Sequence, residues 1–373
     1  MRCDWPPSPA AANCGRWTSP AVRRAGCPPR VRSPTRAPTT GRRVAYRDGD
    51  TLRVVATDGT GDRALATPDR PDTAFGTAPH TSATCDGPRG LWWSPDDTRL
   101  LAARTDSARV AHWYLADPAR PEDPPRAYRY AAAGRANSDV TLWLTELDGT
   151  RTEARWDRAG FEYVIGAGWD EHGPYALVQS RDQRTVLLLG IDPADGRTTV
   201  LAQQRDACWV HPVPGLPVRT AGGALVGHTD LGATRHLTVD GSPVTPPGLQ
   251  LRAVLGVEGE QVLFTACGEP TETHLWRYDP NGGPVRLTEG PGLHTGAAAG
   301  GTLVLAARRR DRPGPRVTVA RDGRPALSIA SLTQPPVLRT RDPARARGRP
   351  TSPIATPPRP SSGRPPDCAA RCC

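Results

Sequence analysis

The stretch Tyr175-Ala176-Leu177-Val178-Gln179-Ser180-Arg181-Asp182-Gln183-Arg184-Thr185-Val186-Leu187-Leu188-Leu189-Gly190-Ile191-Asp192-Pro193-Ala194-Asp195-Gly196-Arg197-Thr198-Thr199-Val200-Leu201 decides the fold class. Three short runs rich in Val, Leu, Ile and Thr are separated by polar turns, the second built on Asp195-Gly196. Runs of this length, bounded by such turns, read as strands joined antiparallel. The same phrase recurs on both sides. Upstream, RVAYRDGDTLR at 43–53 places two strands around Asp48-Gly49, a hairpin signal, and LWWSPDDTRLLAART (91–105) and VTLWLTELDGTRTEARW (140–156) follow. Downstream come GALVGHTDLGATRHLTVDGSPV (223–244), QVLFTACGEPTETHLWRYDPNGGPVRLT (261–288) and TLVLAARRRDRPGPRVTVARDGRPALSI (302–329).

These units return every roughly 35 to 50 residues, a period that marks propellers and solenoids. No stretch carries ten or more residues of helical apolar spacing with caps. The body is therefore expected to be all-β, a β-propeller of about six or seven blades belonging to a larger ring. Sandwiches also use closely spaced strands, but residues 44–337 would need two or three of them, and no linker divides the run.

Composition separates this body from its flanks. Only 37% of the 373 residues are hydrophobic, and 38 Gly with 42 Pro exceed a fifth of the chain, so part of it is expected to be unfolded. All 48 basic residues are Arg, a bias that points to a GC-rich genome of actinobacterial type. Residues 1–43 hold nine Arg and one acid, and residues 338–373 hold eight Arg and two acids. Taking +8 and +6 from the formal +10 leaves −4 on residues 44–337, so the basic balance describes the ends. Both flanks lack apolar periodicity and read as disordered Arg/Pro-rich tails, of the kind a wrong reading frame of a GC-rich gene would give. Their Arg could hold nucleic acid through counterion release, but only Trp5 and Trp17 offer stacking, and no specific nucleic-acid partner is expected.

Three cysteines, Cys85, Cys208 and Cys267, lie in the body, an odd and widely spaced set that reads as ordinary thiols. The histidines His211, His228, His236, His274 and His294 have no paired ligand spacing, so neither a metal nor a cofactor is expected. Ser94 and Ser180 sit in turn contexts without a neighbouring base, and Arg308–Arg310 with Arg312 read as a solvated loop. Eight of the ten Trp (Trp92, Trp93, Trp113, Trp143, Trp156, Trp169, Trp209 and Trp276) fall at strand positions and are expected to fill the space between blades. No apolar run suits a membrane span, and Arg23-Arg24 is not followed by an apolar segment, so a cytoplasmic location without an export signal is expected.

More specific features follow the 91–105 strands. Leu91-Trp92-Trp93-Ser94-Pro95-Asp96, Leu100-Leu101-Ala102-Ala103-Arg104, then HWYLADPARPEDPPRAYRYAAAGRANSDVTLWLTELDG (112–149) with Tyr130, Gly134 and Asn137, come in sequence. Ser180-Arg181-Asp182-Gln183, Trp209-Val210, Thr271-Glu272-Thr273-His274-Leu275-Trp276 and Pro291-Gly292-Leu293-His294 continue the order. This ordered set resembles the N-terminal propeller of dipeptidyl-peptidase IV-type serine peptidases of the prolyl oligopeptidase family, over about residues 43–336.

The resemblance implies a funnel that admits short or unfolded peptides to an α/β-hydrolase domain carrying Ser, Asp and His. It also implies two glutamates that hold the substrate's free amine, since paired carboxylates satisfy the three donors of an ammonium. This chain departs from the pattern. Where the glutamates should stand it reads Thr84-Cys85-Asp86, with Asp86 as the one weak candidate, and the nucleophile motif Gly-x-Ser-x-Gly does not occur. The family's blades ahead of residue 44 are replaced by the first tail. The expected function is therefore the non-catalytic, substrate-gating propeller of such a peptidase, from a truncated or frame-shifted gene, with no catalytic residue of its own. Peptides would be its partners through the hydrolase domain. The alternative is a stand-alone propeller acting as a protein-interaction module.

Overall fold

A computed structural model describes residues 42–77, 90–310, 312, 314–321 and 324–330. Residues 1–41 of the first tail, the whole of the second, and the stretch with Thr84, Cys85 and Asp86 lie outside them, while Arg43, placed in the first tail by sequence, begins a strand. Twenty-six strands and no helix are present among the described residues. Sheet 1 holds β1 (Arg43–Asp48), β2 (Thr51–Ala56) and β3 (Arg63–Ala66). Sheet 2 is built from β4 (Thr73–Phe75), β5 (Leu91–Trp93), β6 (Arg99–Asp106), β9 (Asp139–Glu146) and β10 (Arg151–Glu153). Between β6 and β9 the chain leaves as a separate two-stranded arm, β7 (His112–Leu115) and β8 (Arg126–Arg129).

Four regular meanders follow. Sheet 3 is β11 (Tyr163–Asp170), β12 (Gly173–Gln179), β13 (Thr185–Ile191) and β14 (Thr198–Arg205). Sheet 4 is β15 (Val218–Arg219), β16 (Leu225–Leu231), β17 (Thr234–Val239) and β18 (Ser242–Pro243). Sheet 5 is β19 (Gln250–Glu258), β20 (Gln261–Cys267), β21 (His274–Asp279) and β22 (Gly283–Arg286). Sheet 6 is β23 (Leu293–Ala299), β24 (Thr302–Arg308), β25 (Arg316–Arg321) and β26 (Arg324–Ile329). Neighbours in each sheet run antiparallel, and β5 lies beside β11 as β19 lies beside β23. The first strands of successive blades thus gather on the inner side, as in an open propeller of six blades.

Strand alternation explains how one sheet serves two cores. On β6, Leu101 and Ala103 pack with Leu142, Val164, Val178 and Leu189, between sheets 2 and 3. Leu100 and Ala102 pack with Leu52, Val54 and Phe75, between sheets 1 and 2. Successive side chains point to opposite faces, so a strand buried on both sides reads as a continuous apolar run. Between sheets 4 and 5, Val226 and Leu237 meet Leu251, Val262 and Phe264.

The turns are equally local in origin. Ser94 Oγ donates to Asp96 Oδ1 at 2.5 Å and accepts from Arg99 N at 2.9 Å. Ser180 repeats this with Asp182 at 2.6 Å and Thr185 N at 3.1 Å. Asp97 and Gln183 take the left-handed backbone that closes each turn. His236 and His274 are likewise structural. Each lies on the third strand of a blade, and a threonine just past the fourth strand bonds to it: His236 Nδ1 lies 2.8 Å from Thr245 O, and His274 Nδ1 3.2 Å from Thr288 Oγ1. The same threonine hydroxyls accept from Leu237 N and Leu275 N, at 3.1 and 3.0 Å.

Two expectations are corrected here. Cys208 is not an ordinary thiol but disulfide-bonded, with a partner outside the described residues, whereas Cys267 is free and buried. Trp92 is buried, and Trp93, Trp143, Trp156, Trp169 and Trp276 pack against the cores, but Trp113 and Trp209 do not fill an interblade space. Trp113 is 56% exposed because β7 pairs only with β8, away from the sheets, and Trp209, 43% exposed, sits in the connection leaving sheet 3.

His228 gives the fold a pH dependence. Its pKa is lowered to about 4, first by burial and then by the nearby Arg235. The unfolded chain, with the ordinary value of 6.5, binds the proton more readily, so stability is full above pH 6.5 and falls as pH drops toward 4. His211 and His294 are lowered in the same direction, again chiefly by burial. Urea denaturation is expected to show a loss of up to about 3 kcal/mol from His228 across this window, absent in His228→Phe.

Candidate functional site

The segment that should carry the amine anchor leaves and re-enters sheet 2 at one point. Gly76 N donates to Ala103 O at 2.7 Å, and Ala103 N donates to Gly90 O at 2.8 Å. Both ends of the 78–89 excursion are therefore pinned to a single residue of β6. They approach so closely that a Cβ on Gly90 would lie 2.5 Å from Gly76 C and Thr77 N, so position 90 must be glycine.

Charged pairs fix the surroundings of this base. The buried Arg104 donates to both oxygens of Asp69, at 2.8 and 3.0 Å, and these bonds hold the Asp69 carboxyl below its ordinary range. Thr105 Oγ1 donates to Thr77 O at 2.7 Å. Arg129, at the end of β8, pairs with Asp72 at 2.7 Å and donates to Val110 O at 2.6 Å, which fastens the root of the arm.

The chain returning from the arm meets sheet 3 at a second cluster. Glu162 Oε2 accepts from Asn137 Nδ2 at 3.2 Å and from Arg181 NH1 at 3.0 Å, while Arg181 NH2 donates to Arg135 O at 2.6 Å. Val210 N donates to Gln183 O at 2.8 Å, and Gln179 Nε2 donates to Val210 O at 3.1 Å. Asn137, the Ser180–Gln183 turn and Trp209-Val210, far apart in sequence, are thus brought to one corner. Glu162 is the member that sequence reading missed. A cleft of about 240 Å³ opens beside it, lined by Arg129, Tyr130, Asn137 and Tyr163. Arg181 already matches its charge, so Glu162 holds the corner and is not placed as an ammonium anchor.

The downstream motifs meet elsewhere. His294 N donates to Thr273 O at 2.8 Å, and the rings of His274 and His294 stack at 5.0 Å. Glu272 Oε2 and an Arg286 NH2 lie 3.1 and 2.9 Å from His274 Nε2. On the inner side, β5, β11 and β19 with the 214–218 segment border an opening of about 410 Å³ lined by Trp93, Trp169 and Tyr175.

Both Ser94 and Ser180 donate to aspartates of their own turns. Among the described residues no group of three His, Cys, Asp or Glu could hold a metal ion. Arg308, at the end of β24, and Arg309, Arg310 and Arg312 of the β24–β25 connection are exposed. No helix among the described residues is long and apolar enough to cross a membrane.

Six antiparallel blades with inner strands around an opening, and a two-stranded side arm, define an all-β propeller among the described residues. The model of the dipeptidyl peptidase IV N-terminal region matches residues 86–303, more than half of the chain, and the chain belongs to that family. Its fold is similar to that of Porphyromonas gingivalis dipeptidyl peptidase 4, with a TM-score of 0.66 and 17% identity. A putative dipeptidyl aminopeptidase IV from Bacteroides ovatus gives a TM-score of 0.64, also at 17% identity. Both matches cover 78% of this chain but only 43% and 45% of the relatives, so the chain spans less than half the length of the structures it matches.

Proposed function

We propose that this chain is the substrate-gating, non-catalytic part of a dipeptidyl-peptidase IV-like serine peptidase. The observation that carries this reading is the family match over residues 86–303, together with the joining of Gly76 and Gly90 through Ala103. The nucleophile, base and oxyanion donors of peptide cleavage come from a hydrolase domain outside this sequence, because acyl transfer needs all of them in one place. The propeller contributes position and exclusion. Its inner opening and rim select flexible peptides and hold them for attack, which is how binding energy away from the scissile bond serves catalysis.

The test replaces the matching segment of the P. gingivalis enzyme by residues 44–330 of this chain and measures hydrolysis of a short chromogenic dipeptide substrate. Activity in a folded fusion is the expected result; a fusion with a native β circular-dichroism spectrum and no hydrolysis overturns the proposal. A second reading, a stand-alone interaction module, draws on the exposed Trp113, Tyr114, Leu115, Tyr128 and Tyr130 of the arm and its root.

A further inference from the structure

Sheets 3 and 4 do not fill the space between them. The sheet 3 wall is apolar, with Ile165, Leu177, Val186, Leu188 and Val210 buried together, and Leu225 is the residue of sheet 4 that packs against them. Opposite this wall, sheet 4 offers Gly227, Thr229, Thr238 and Gly241. The result is a cleft of about 290 Å³. Its lining includes Gln204 and His228, whose Nε2 atoms are 3.4 Å apart, so the amide N–H points at the imidazole lone pair.

The polar groups of this cleft are uncharged at neutral pH. His228 is neutral there, and the adjoining Asp230 and Arg235 pair with each other at 2.9 and 3.2 Å. A charged ligand would leave water without an opposite charge to meet, which disfavours it. An apolar molecule loses nothing of that kind, and a dry apolar cavity of about 150 Å³ already takes up benzene. The weak 3.4 Å bond leaves the imidazole nitrogen able to accept a better donor.

We infer that the cleft between sheets 3 and 4 is a binding site for a small uncharged aromatic molecule with one N–H or O–H donor, of the indole or phenol class. The aromatic ring lies on Leu177, Val186 and Leu188, and the donor reaches His228 Nε2. This site is separate from the inner opening and does not depend on the peptidase reading.

The experiment titrates indole into the full chain, followed by saturation-transfer NMR and thermal denaturation, with indene as the isostere lacking the donor. Saturable binding, a raised Tm, and at least tenfold weaker binding of indene are expected. Ala202→Phe, which fills the cleft from β14, should abolish binding without lowering Tm. Gln204→Leu, a milder change, frees the imidazole nitrogen and should leave indole binding equal or tighter. Absence of saturable indole binding, equal affinity for indene, or unchanged binding in a folded Ala202→Phe variant each overturns the inference. Should Ala202→Phe fail to fold, the indole-to-indene ratio in His228→Phe decides, and a ratio that stays at ten or more refutes the role of His228.

Discussion

Phe264→Ala is expected to destabilise the chain by about 3–5 kcal/mol, the usual cost of emptying a fully buried aromatic site. Phe264 lies on β20 with no exposed surface, and its ring stacks on Trp276 at 6.4 Å between centroids. It stands between sheets 4 and 5 with Val226, Leu237, Leu251 and Val262. Because a blade cannot bury its face alone, loss of this contact loosens sheets 4 and 5 from one another, not one side chain only. Urea unfolding followed by tryptophan fluorescence checks it. Phe264→Leu should cost less than about 1.5 kcal/mol, since it keeps most of the volume. Val285→Ala, at a half-exposed position, should be almost neutral. Equal midpoints for Phe264→Ala and Val285→Ala would show that the interface between sheets 4 and 5 is not formed.

The second large effect concerns the substrate amine. Two glutamates around an ammonium form charge-assisted hydrogen bonds, each contributing about 1.5–3 kcal/mol. This chain has Thr84 and Cys85 where the resemblance implies that pair. The fusion described above should therefore hydrolyse free and N-acetylated dipeptidyl substrates at similar kcat/KM, whereas a propeller that carries the glutamate pair should favour the free amine. Thr84→Glu, which supplies one carboxylate, should raise the preference for the free amine by about tenfold or more. Asp86 has a shorter side chain, so Asp86→Asn should leave the ratio unchanged. A strong free-amine preference in the unmodified fusion would mean that another carboxylate of the propeller takes the role.

Much of the fold could be read from the sequence because the information is local. Asp48-Gly49 closes β1 onto β2 with Asp48 opposite Thr51, as its turn chemistry requires. Ser94-Pro95-Asp96 and Ser180-Arg181-Asp182 close hairpins through their own side chains. Pairings between distant residues were not legible. The union of β4 with β6 makes sheet 2 five-stranded, yet Thr73-Ala74-Phe75 carries no signal for its partner. Glu162 illustrates the same limit. It becomes a partner of Arg181 only once Tyr163 is known to lie opposite Gln179, which brings the two charges to adjoining strand ends. The exposure of Trp113 follows from the arm standing apart from the sheets, and strand periodicity describes a face without saying what covers it.

The most direct test of the gating role is the fusion's selectivity for substrate form. The same cleavable sequence is presented as a free flexible peptide and as a loop within a folded carrier, and kcat/KM is measured for both. An endopeptidase with an open cleft, able to cut the two, serves as control. The account predicts that the fusion cleaves the free peptide and favours it over the carrier by about tenfold or more relative to the control. Equal relative cleavage of both forms would contradict it, because a propeller that admits a folded carrier does not gate.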